Sequence, residues 1–186
     1  IRDSSTSRGL GDVYKRQANS IDSNDLEKIL AAGIRVPDHG ALNPWKLVVI
    51  QGMKLKQLDE EVILTEFKKD NPEASKGDIE IESSRLQRGG AVIAVLSQPV
   101  DHPKIPLWEM QLSSAAVCMN LLNCAQSMGY AAQWLTEWYA YNDMMLKSLG
   151  GNVSKDKISG FIYIGTKIEE PNERRRPDPK DVITYL

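Results

Sequence analysis

The sequence predicts an α+β fold in three layers, with a mixed central sheet flanked by helices. Strands separated by helices would normally suggest a parallel sheet. Here a long apolar helix and an isolated apolar run near the C-terminus favour a mixed sheet instead. The apolar runs that predict buried strands are 46–50, 91–96, 130–135 and 158–165. The terminal run 182–185 predicts a short edge strand, which could be added to a partner chain.

The helices are predicted from their start and stop signals. Asp22 is placed to cap a first helix, and Pro37 ends it because the residue before a proline disfavours the helical region. A polar helix after Gly52 runs to about Lys68. The remaining expectations are an exposed connection at 69–80, a short helix at 82–88, a long helix at 107–128 that stops before Gly129, and a short helix from Asn142 to Gly150.

Residues 1–17 differ in character from the rest of the chain. They are polar, rich in serine and glycine, and show no apolar period. We interpret 1–17 as a non-native or disordered N-terminal segment. Residues 18–186 are then expected to form a single domain.

Composition excludes several classes of function. A net charge of -2 over 186 residues argues against a nucleic-acid surface. No apolar run approaches the ~18 residues of a membrane helix, so no membrane partner is expected. Cys118 and Cys124 fit neither a disulfide framework nor a zinc site, which favours buried thiols and a cytoplasmic location.

The chain lacks the sequence signatures of self-sufficient catalysis. It has no glycine-rich phosphate loop and no nucleophile elbow. Its two histidines, His39 and His102, are far apart, so no metal site is expected. An enzyme with these residues would take its chemistry from a cofactor, and no catalytic side chain is predicted.

Three groups of residues are candidates for binding, each with a simpler alternative. His39 lies in a turn before a buried strand, where it could meet a ligand or simply bond to nearby backbone. Trp134 and Trp138 could form one side of a pocket for a flat ligand, or they could belong to the core and its rim. The run 174–176 is three arginines, suited to phosphate but equally typical of a solvated charge patch.

Several motifs in this order resemble the nitroreductase family, and its short bacterial-type subgroup in particular. The resemblance covers roughly residues 21–186. It rests on Arg-Val-Pro-Asp-His at 35–39, Asn-Pro-Trp at 43–45, Trp-Glu at 108–109, Asn-Leu-Leu at 120–122, Met-Gly-Tyr at 128–130, Trp-Leu-Thr at 134–136, Gly-Phe-Ile-Tyr-Ile-Gly at 160–165 and Arg-Pro at 176–177.

The resemblance implies a nitroreductase-like sandwich that forms a homodimer through long helices, with FMN bound at the dimer interface. It places Arg35, His39, Trp134, Leu135 and Thr136 along the flavin. It also places Arg176 near the FMN phosphate. The nicotinamide of NADH or NADPH would lie near the turn formed by Cys124, Ala125, Gln126, Ser127, Met128 and Gly129.

The implied activity is that of an FMN-dependent oxidoreductase. NADH or NADPH reduces FMN and leaves, and a nitroaromatic, quinone or related small-molecule acceptor then takes hydride, in ping-pong order. Flavin fragmentation and reductive dehalogenation are sister activities of the fold. Two alternatives stay open: a non-catalytic dimer that binds a flavin or another planar ligand, and a fold that has lost its cofactor.

Two departures from the family pattern bear on these expectations. The family opens with a basic Arg-Arg-Ser motif that grips the FMN phosphate, where this chain has Leu10-Gly11-Asp12. That replacement predicts weaker FMN binding and favours the non-catalytic alternative. Relatives often have glycine at the position of Glu137, whose carboxylate would either disfavour an anionic reduced flavin or point away from it.

Overall fold

The computed structural model describes residues 21–167 and 175–186 and confirms the α+β class. Its described residues form a four-stranded sheet in the order β1-β2-β4-β3. The strands are β1 (Trp45–Gln51), β2 (Ala91–Ser97), β3 (Tyr130–Leu135) and β4 (Lys157–Thr166). The predicted segment 1–17 lies outside the described residues, and its separation from a domain at 18–186 stays a prediction.

Helices connect and cover the strands. They are α1 (Ser23–Gly33), α2 (Met53–Leu58), α3 (Leu64–Asp70), α4 (Lys76–Glu82), α5 (Leu107–Ser127), α6 (Asp143–Ser148) and α7 (Pro179–Val182). A π-helical stretch at Asp59–Ile63 joins α2 to α3, so the polar helix predicted after Gly52 continues to Asp70. Short 3₁₀ turns occur at His39–Ala41, Leu86–Arg88 and Trp138–Tyr141.

The direction of the strands corrects the expectation of a mixed sheet. In the described part of the chain, β1 with β2, β2 with β4 and β3 with β4 are all antiparallel. The strands are antiparallel because of the end of the sheet to which each helical connection returns. Gln51 pairs with Ala91, so the long connection between β1 and β2 starts and finishes at the same end of the sheet. A connection that returns to its starting end makes neighbouring strands antiparallel, whatever helices it contains.

The three predicted layers are present, with a hydrophobic core on each face of the sheet. Side chains of β4 alternate between the two cores, as a strand period of two requires. Phe161 and Tyr163 pack with Ile63 and Tyr139 on one face, while Ile162 joins the other core. That second core includes residues of α1 and α5. Every residue of β2 is buried, so this strand is covered on both sides.

The first helix begins as predicted. Asp22 caps α1, and its Oδ1 accepts hydrogen bonds from the backbone N–H groups of Asn24 (2.9 Å) and Asp25 (3.1 Å). Ile21 and Leu26, on either side of the cap, are both buried in the core beneath α1. The cap and the buried apolar pair together set where the chain enters the fold.

Two expectations for the segment 69–88 are wrong. The predicted exposed connection at 69–80 contains the start of α4, and Ser75 and Asp78 form a capping box at its N-terminus. Ser75 Oγ accepts from the Asp78 N–H, and the Asp78 carboxylate accepts from the Ser75 N–H. The helix predicted at 82–88 is instead the end of α4 followed by the 3₁₀ turn Leu86–Arg88. The serine-x-x-acid spacing at Ser75 and Asp78 was the sequence signal for the start of α4.

The edge strand predicted at 182–185 is also wrong for the single chain. Residues 175–186 contain α7 and no strand. Asp178 accepts a hydrogen bond from the Lys180 N–H, and Pro179 occupies the first helical position. Both features favour a helical turn, because proline fixes φ and lacks the N–H that the first turn leaves unbonded.

A buried carboxylate joins the π-helical stretch to the chain before β2. Asp59 is fully buried, and it accepts hydrogen bonds from the backbone N–H of Leu86 (2.8 Å), the backbone N–H of Gln87 (3.2 Å) and the Gln87 side chain (2.9 Å). Burial raises the pKa of the Asp59 carboxyl, and the donated hydrogen bonds offset only part of that rise. The contact connects segments 27 residues apart.

No helix in the described ranges is long and apolar enough to cross a membrane.

We expect Asp59→Asn to destabilise the protein by about 1–3 kcal/mol, the cost of leaving a buried donor or acceptor unsatisfied. The amide nitrogen of asparagine would face a backbone or side-chain donor where Asp59 now presents an acceptor. Urea denaturation at neutral pH measures the change. Asp70→Asn, on an exposed acid at the end of α3, is the matched control and should stay within about 0.5 kcal/mol. Equal stability of the two variants would contradict this account of Asp59.

Candidate functional site

One face of α5 holds the loop that follows α1. Glu109 Oε2 lies 2.7 Å from His39 Nδ1, and Ser113 Oγ donates to the Pro37 carbonyl at 2.9 Å. Asn120 Nδ2 donates to the carbonyls of Ala32 (2.6 Å) and Arg35 (3.2 Å). Positions 109, 113 and 120 repeat with the helical period, so the three side chains project from the same face. They position the segment 32–39. We call the part of it from Arg35 to His39 the first flank of the candidate site.

The chain after Pro37 is tightly wound. Gly40 has φ of 74°, and Ala41 and Asn43 also have positive φ, at 52° and 48°. The left-handed region is uncommon for residues with a Cβ and indicates local strain. The Asp38 carboxylate accepts the Asn43 N–H at 2.7 Å and closes the turn. His39 is thereby presented at the surface, with its side chain 62% exposed.

The second flank of the candidate site is the end of β3. Trp134 is half-buried, and its Nε1 donates to the Ser159 carbonyl at 3.1 Å. A Cβ at Gly160 would collide with the Trp134 indole, so glycine there allows the ring to lie against β4. Leu135 is half-buried, and Thr136 is exposed just beyond the strand.

Adjacent serines of α5 connect the two flanks. Ser113 bonds to Pro37 on the first flank, while Ser114 Oγ lies 2.8 Å from Ser159 Oγ. Ser159 is the residue whose carbonyl holds Trp134. The structure therefore fastens the predicted groups Arg35–His39 and 134–136 to neighbouring positions of one helix, although about 95 residues of sequence separate them.

The turn predicted to serve the nicotinamide is not brought beside these flanks within one chain. Cys124 to Gly129 form the last turn of α5 and the turn into β3, with Gly129 at φ of 87°. That turn lies at the opposite end of β3 from Leu135, roughly 17 Å away at 3.3 Å per residue. Arg176 is exposed in the segment 175–186. The assignments of the turn to nicotinamide and of Arg176 to phosphate stay predictions.

Glu137 is held away from solvent by two arginines. Its Oε2 lies 2.7 Å from Arg85 Nη1, and its Oε1 lies 2.6 Å from Arg88 Nη2. The three side chains are only 17–22% exposed. The carboxylate that departs from the family pattern is therefore neutralised by paired guanidinium groups, which removes the reason to expect an unscreened negative charge beside the end of β3.

The Glu137 network extends into the core. Arg85 also pairs with Glu82, whose second oxygen accepts from Trp138 Nε1 at 3.0 Å. The Arg88 guanidinium lies over the Tyr163 ring, 5.5 Å from its centroid. Behind it, the buried hydroxyls of Tyr139 and Tyr163 lie 2.6 Å apart, and burial raises the pKa of both phenols. The segment 134–138 is thus anchored to the chain that precedes β2.

The sequence singled out His39 and Trp134 as candidates but not the residues that position them. The simpler alternative for His39, a bond to nearby backbone, is wrong because its partner is Glu109. Glu109 and Asn120 appeared only as parts of the family motifs, and Ser113, Arg85 and Arg88 were not singled out. These contacts join residues 49 to 88 positions apart. Only the residues of α5 had a sequence signal, which was the helical spacing of polar residues in an apolar helix.

The cysteines and acidic residues add no metal site. Cys118 is buried and Cys124 half-buried, and both are free thiols. Burial raises the pKa of the Cys118 thiol to about 12, so it is protonated at neutral pH. Across the ranges that the structure describes, no group of three or more histidine, cysteine or acidic side chains could hold a metal ion.

Comparisons with known proteins agree with this architecture. The family model described as "Nitroreductase family" matches residues 13–166. A protein of Escherichia coli (strain K12), provisionally named NAD(P)H nitroreductase YdjA, is 28% identical over 168 residues, which cover 87% of this chain and 86% of that protein. The chain belongs to the nitroreductase family.

Solved structures show the same fold. A nitroreductase-like family protein from Bacillus cereus superposes with a TM-score of 0.76 at 20% identity, covering 91% of this chain and 88% of that one. A nitroreductase with bound FMN from Bacteroides fragilis NCTC 9343 superposes with a TM-score of 0.64 at 21% identity, covering 91% and 90%. The matched family model begins at residue 13, immediately after Leu10-Gly11-Asp12.

We expect Glu137→Ala to destabilise the protein by up to the ~3–5 kcal/mol that follows from removing one partner of a buried ion pair. Arg85 and Arg88 would keep their charges in a site with little access to water. Glu60→Ala is the matched control, since Glu60 forms only an exposed pair with Lys56 worth about 0–1 kcal/mol. Urea denaturation of both variants measures the difference, and a loss no greater than that of the control would show that the arginines do not depend on Glu137.

Proposed function

We propose that this protein is an FMN-dependent oxidoreductase that uses NADH or NADPH to reduce a nitroaromatic, a quinone or a related acceptor. The observation that carries the proposal is the attachment of both flanks, Arg35–His39 and 134–136, to adjacent positions of α5 in a member of the nitroreductase family. The names of the relatives, which refer to NAD(P)H and to bound FMN, support the choice of cofactor.

The chemistry of the two flanks fits a flat, anionic ligand. Arg35 offers an exposed guanidinium, and Trp134 offers an aromatic ring fixed by its bond to Ser159. His39 contacts Glu109, so the orientation of its ring is set. A guanidinium binds phosphate oxygens well because its donors are forked and always charged. We assign Arg35, His39, Trp134, Leu135 and Thr136 to the FMN site, and Arg176 to its phosphate.

Bound FMN would supply a two-electron carrier that takes hydride from the nicotinamide and passes it to the acceptor. The residues of this chain would then bind and orient rather than transfer protons. The Arg85–Glu137–Arg88 contact would keep the wall formed by 134–136 in place. We propose that donor and acceptor react with the flavin in turn, in ping-pong order, and that the turn at 124–129 serves the nicotinamide. The cytoplasmic location stays a prediction.

We also propose that the protein is a homodimer with the FMN sites at its interface. Four large apolar side chains of α5 are 47–66% exposed in the single chain, namely Leu107, Trp108, Leu112 and Met119. Exposed apolar groups clustered on one helix are typical of an interface. A dimer built on α5 would also place a second chain near both flanks of the site.

A second candidate function is a non-catalytic protein that binds a flavin or another planar ligand. The replacement at Leu10-Gly11-Asp12 favours it, since these residues supply neither the positive charges nor the hydroxyl of the family motif. Steady-state oxidation of NADH separates the two functions, because a binding protein would take up FMN without consuming NADH.

We expect the purified chain to take up FMN and to show flavin absorption that NADH bleaches in the absence of oxygen. Arg35→Gln should weaken FMN binding about 10- to 100-fold, the effect of losing one charge-assisted hydrogen bond. Lys54→Gln, an exposed cation at the start of α2, is the control and should bind FMN normally. Quenching of flavin fluorescence gives the affinities.

If the chain takes up no FMN, the triple change Leu10→Arg, Gly11→Arg and Asp12→Ser tests whether the N-terminal replacement is the cause. Recovery of binding would assign the defect to the N-terminal replacement and keep the site as proposed. Continued failure to bind would overturn the proposal.

We expect Leu112→Lys combined with Met119→Lys to convert the dimer to a monomer, because both charges would be buried at the interface without partners. Light scattering after size-exclusion chromatography measures the mass. The control is Met53→Lys, on an apolar residue that is 79% exposed on α2. A wild-type chain that elutes as a monomer, or a double variant that stays dimeric, would exclude an interface on α5.

A further inference from the structure

A cleft of about 500 Å³ opens beside the first turn of α5. Its wall comes from the loop between β2 and α5, from the start of α5 and from the residues that lead into β4. The apolar part of the lining includes Val100, Ile105, Leu107 and Met110, and the basic part includes Lys155 and Lys157. We call it the lysine cleft. Its volume is in the range of small-molecule sites.

The two lysines project from an anchored segment. Asp156, between them, is buried, and its Oδ2 accepts from Gln98 Nε2 (2.7 Å) and from the Asn152 N–H (2.9 Å). Lys155 ends the turn that precedes β4 and Lys157 begins β4, and both are exposed on either side of the buried Asp156. Within the described residues neither lysine forms an ion pair, although both line the cleft.

The charges that face these lysines are few. Asp101 is the acidic residue of the lining, and Glu109, on the same turn of α5 as Met110, is engaged by His39. His102 also lines the cleft, and its Nδ1 accepts the N–H groups of Lys104 (3.3 Å) and Ile105 (3.0 Å). A ring whose Nδ1 accepts carries its proton on Nε2 and offers that N–H as a donor. Among the charged residues of the lining, the two lysines outnumber the one acid, Asp101, and His102 adds a hydrogen-bond donor.

The lysine cleft adjoins the loop assigned to the flavin. A Cβ placed on Gly40 would lie 2.7 Å from Ile105 Cδ1, so the His39 turn packs directly on a lining residue. The pair between His39 and Glu109 joins the same turn to the start of α5. A molecule in the cleft would thus lie next to the first flank of the site.

We infer that the lysine cleft binds the electron acceptor, and that this acceptor has a small apolar body with an anionic group such as a carboxylate. The inference rests on the proposed function and adds the class of acceptor. Lys155 and Lys157 would bind the anionic group, and Val100, Ile105 and Met110 would contact the apolar body. A dinucleotide donor fits less well, because its sugars and two phosphates would meet the apolar part of the lining.

A matched pair of acceptors tests the inference. 4-Nitrobenzoate and 4-nitrobenzyl alcohol share the ring and the nitro group and differ in charge. The double variant Lys155→Gln, Lys157→Gln should lower the ratio of kcat/KM for the benzoate over the alcohol about 5- to 30-fold, as expected for two exposed ion pairs. Lys54→Gln with Lys56→Gln, a pair of the same spacing on α2, is the control and should leave the ratio unchanged. Added salt should lower the ratio for the wild type.

Two outcomes with an active enzyme would overturn the inference. An unchanged ratio would show that the lysines do not recognise the anionic group. A rise in KM for NADH, with no change in the ratio, would assign the cleft to the donor. If the protein reduces neither compound, the proposed function fails, and calorimetric titration with 4-nitrobenzoate then tests the cleft alone. Weaker binding to the double variant than to the wild type would support the cleft, and equal or absent binding would overturn it.

Discussion

The packing of α5 against both the sheet and the loop after α1 is the contact on which the rest of the site depends. The helix is buried along the side that faces β2, β3 and β4, and three of its polar residues contact the loop or β4. A serine or an asparagine in such a position is stable only if its hydrogen bonds are made. Ser113, Ser114 and Asn120 each have partners, so the helix aligns the two flanks as it completes the core.

The elements of the fold were mostly predictable because their signals are local. The strands coincide with apolar runs, and α5 begins and ends within a residue or two of its predicted bounds. The helix α1 begins at its cap but ends at Gly33, four residues before the stop expected at Pro37. The predictions that failed concerned features set by the pairing of distant strands or by a weak helix cap. The antiparallel sheet follows from the ends to which long connections return, which no single run encodes. The helix α4 was missed because its mostly polar sequence hides a short capping box at Ser75.

The candidate site was predictable only in part, for the same physical reason. Arg35, His39 and Trp134 stand in recognisable motifs. Glu109, Ser113 and the pair Arg85 and Arg88 act through contacts between segments distant in sequence, which residue type and spacing do not encode. Glu137 shows the difference most clearly. From the sequence it was an unexplained carboxylate, and in the fold two guanidinium groups surround it.

The adjacency of Ser113 and Ser114 has an evolutionary consequence. Because one helix carries the anchor points of both flanks, a shift or rotation of α5 that adjusts one flank also moves the other. Substitutions on the two sides should therefore be non-additive in their effects, since residues that share a rigid support are energetically coupled. Divergence of such a protein toward new ligands would proceed more readily in the loops at the rim of the site than along the helix that joins its walls.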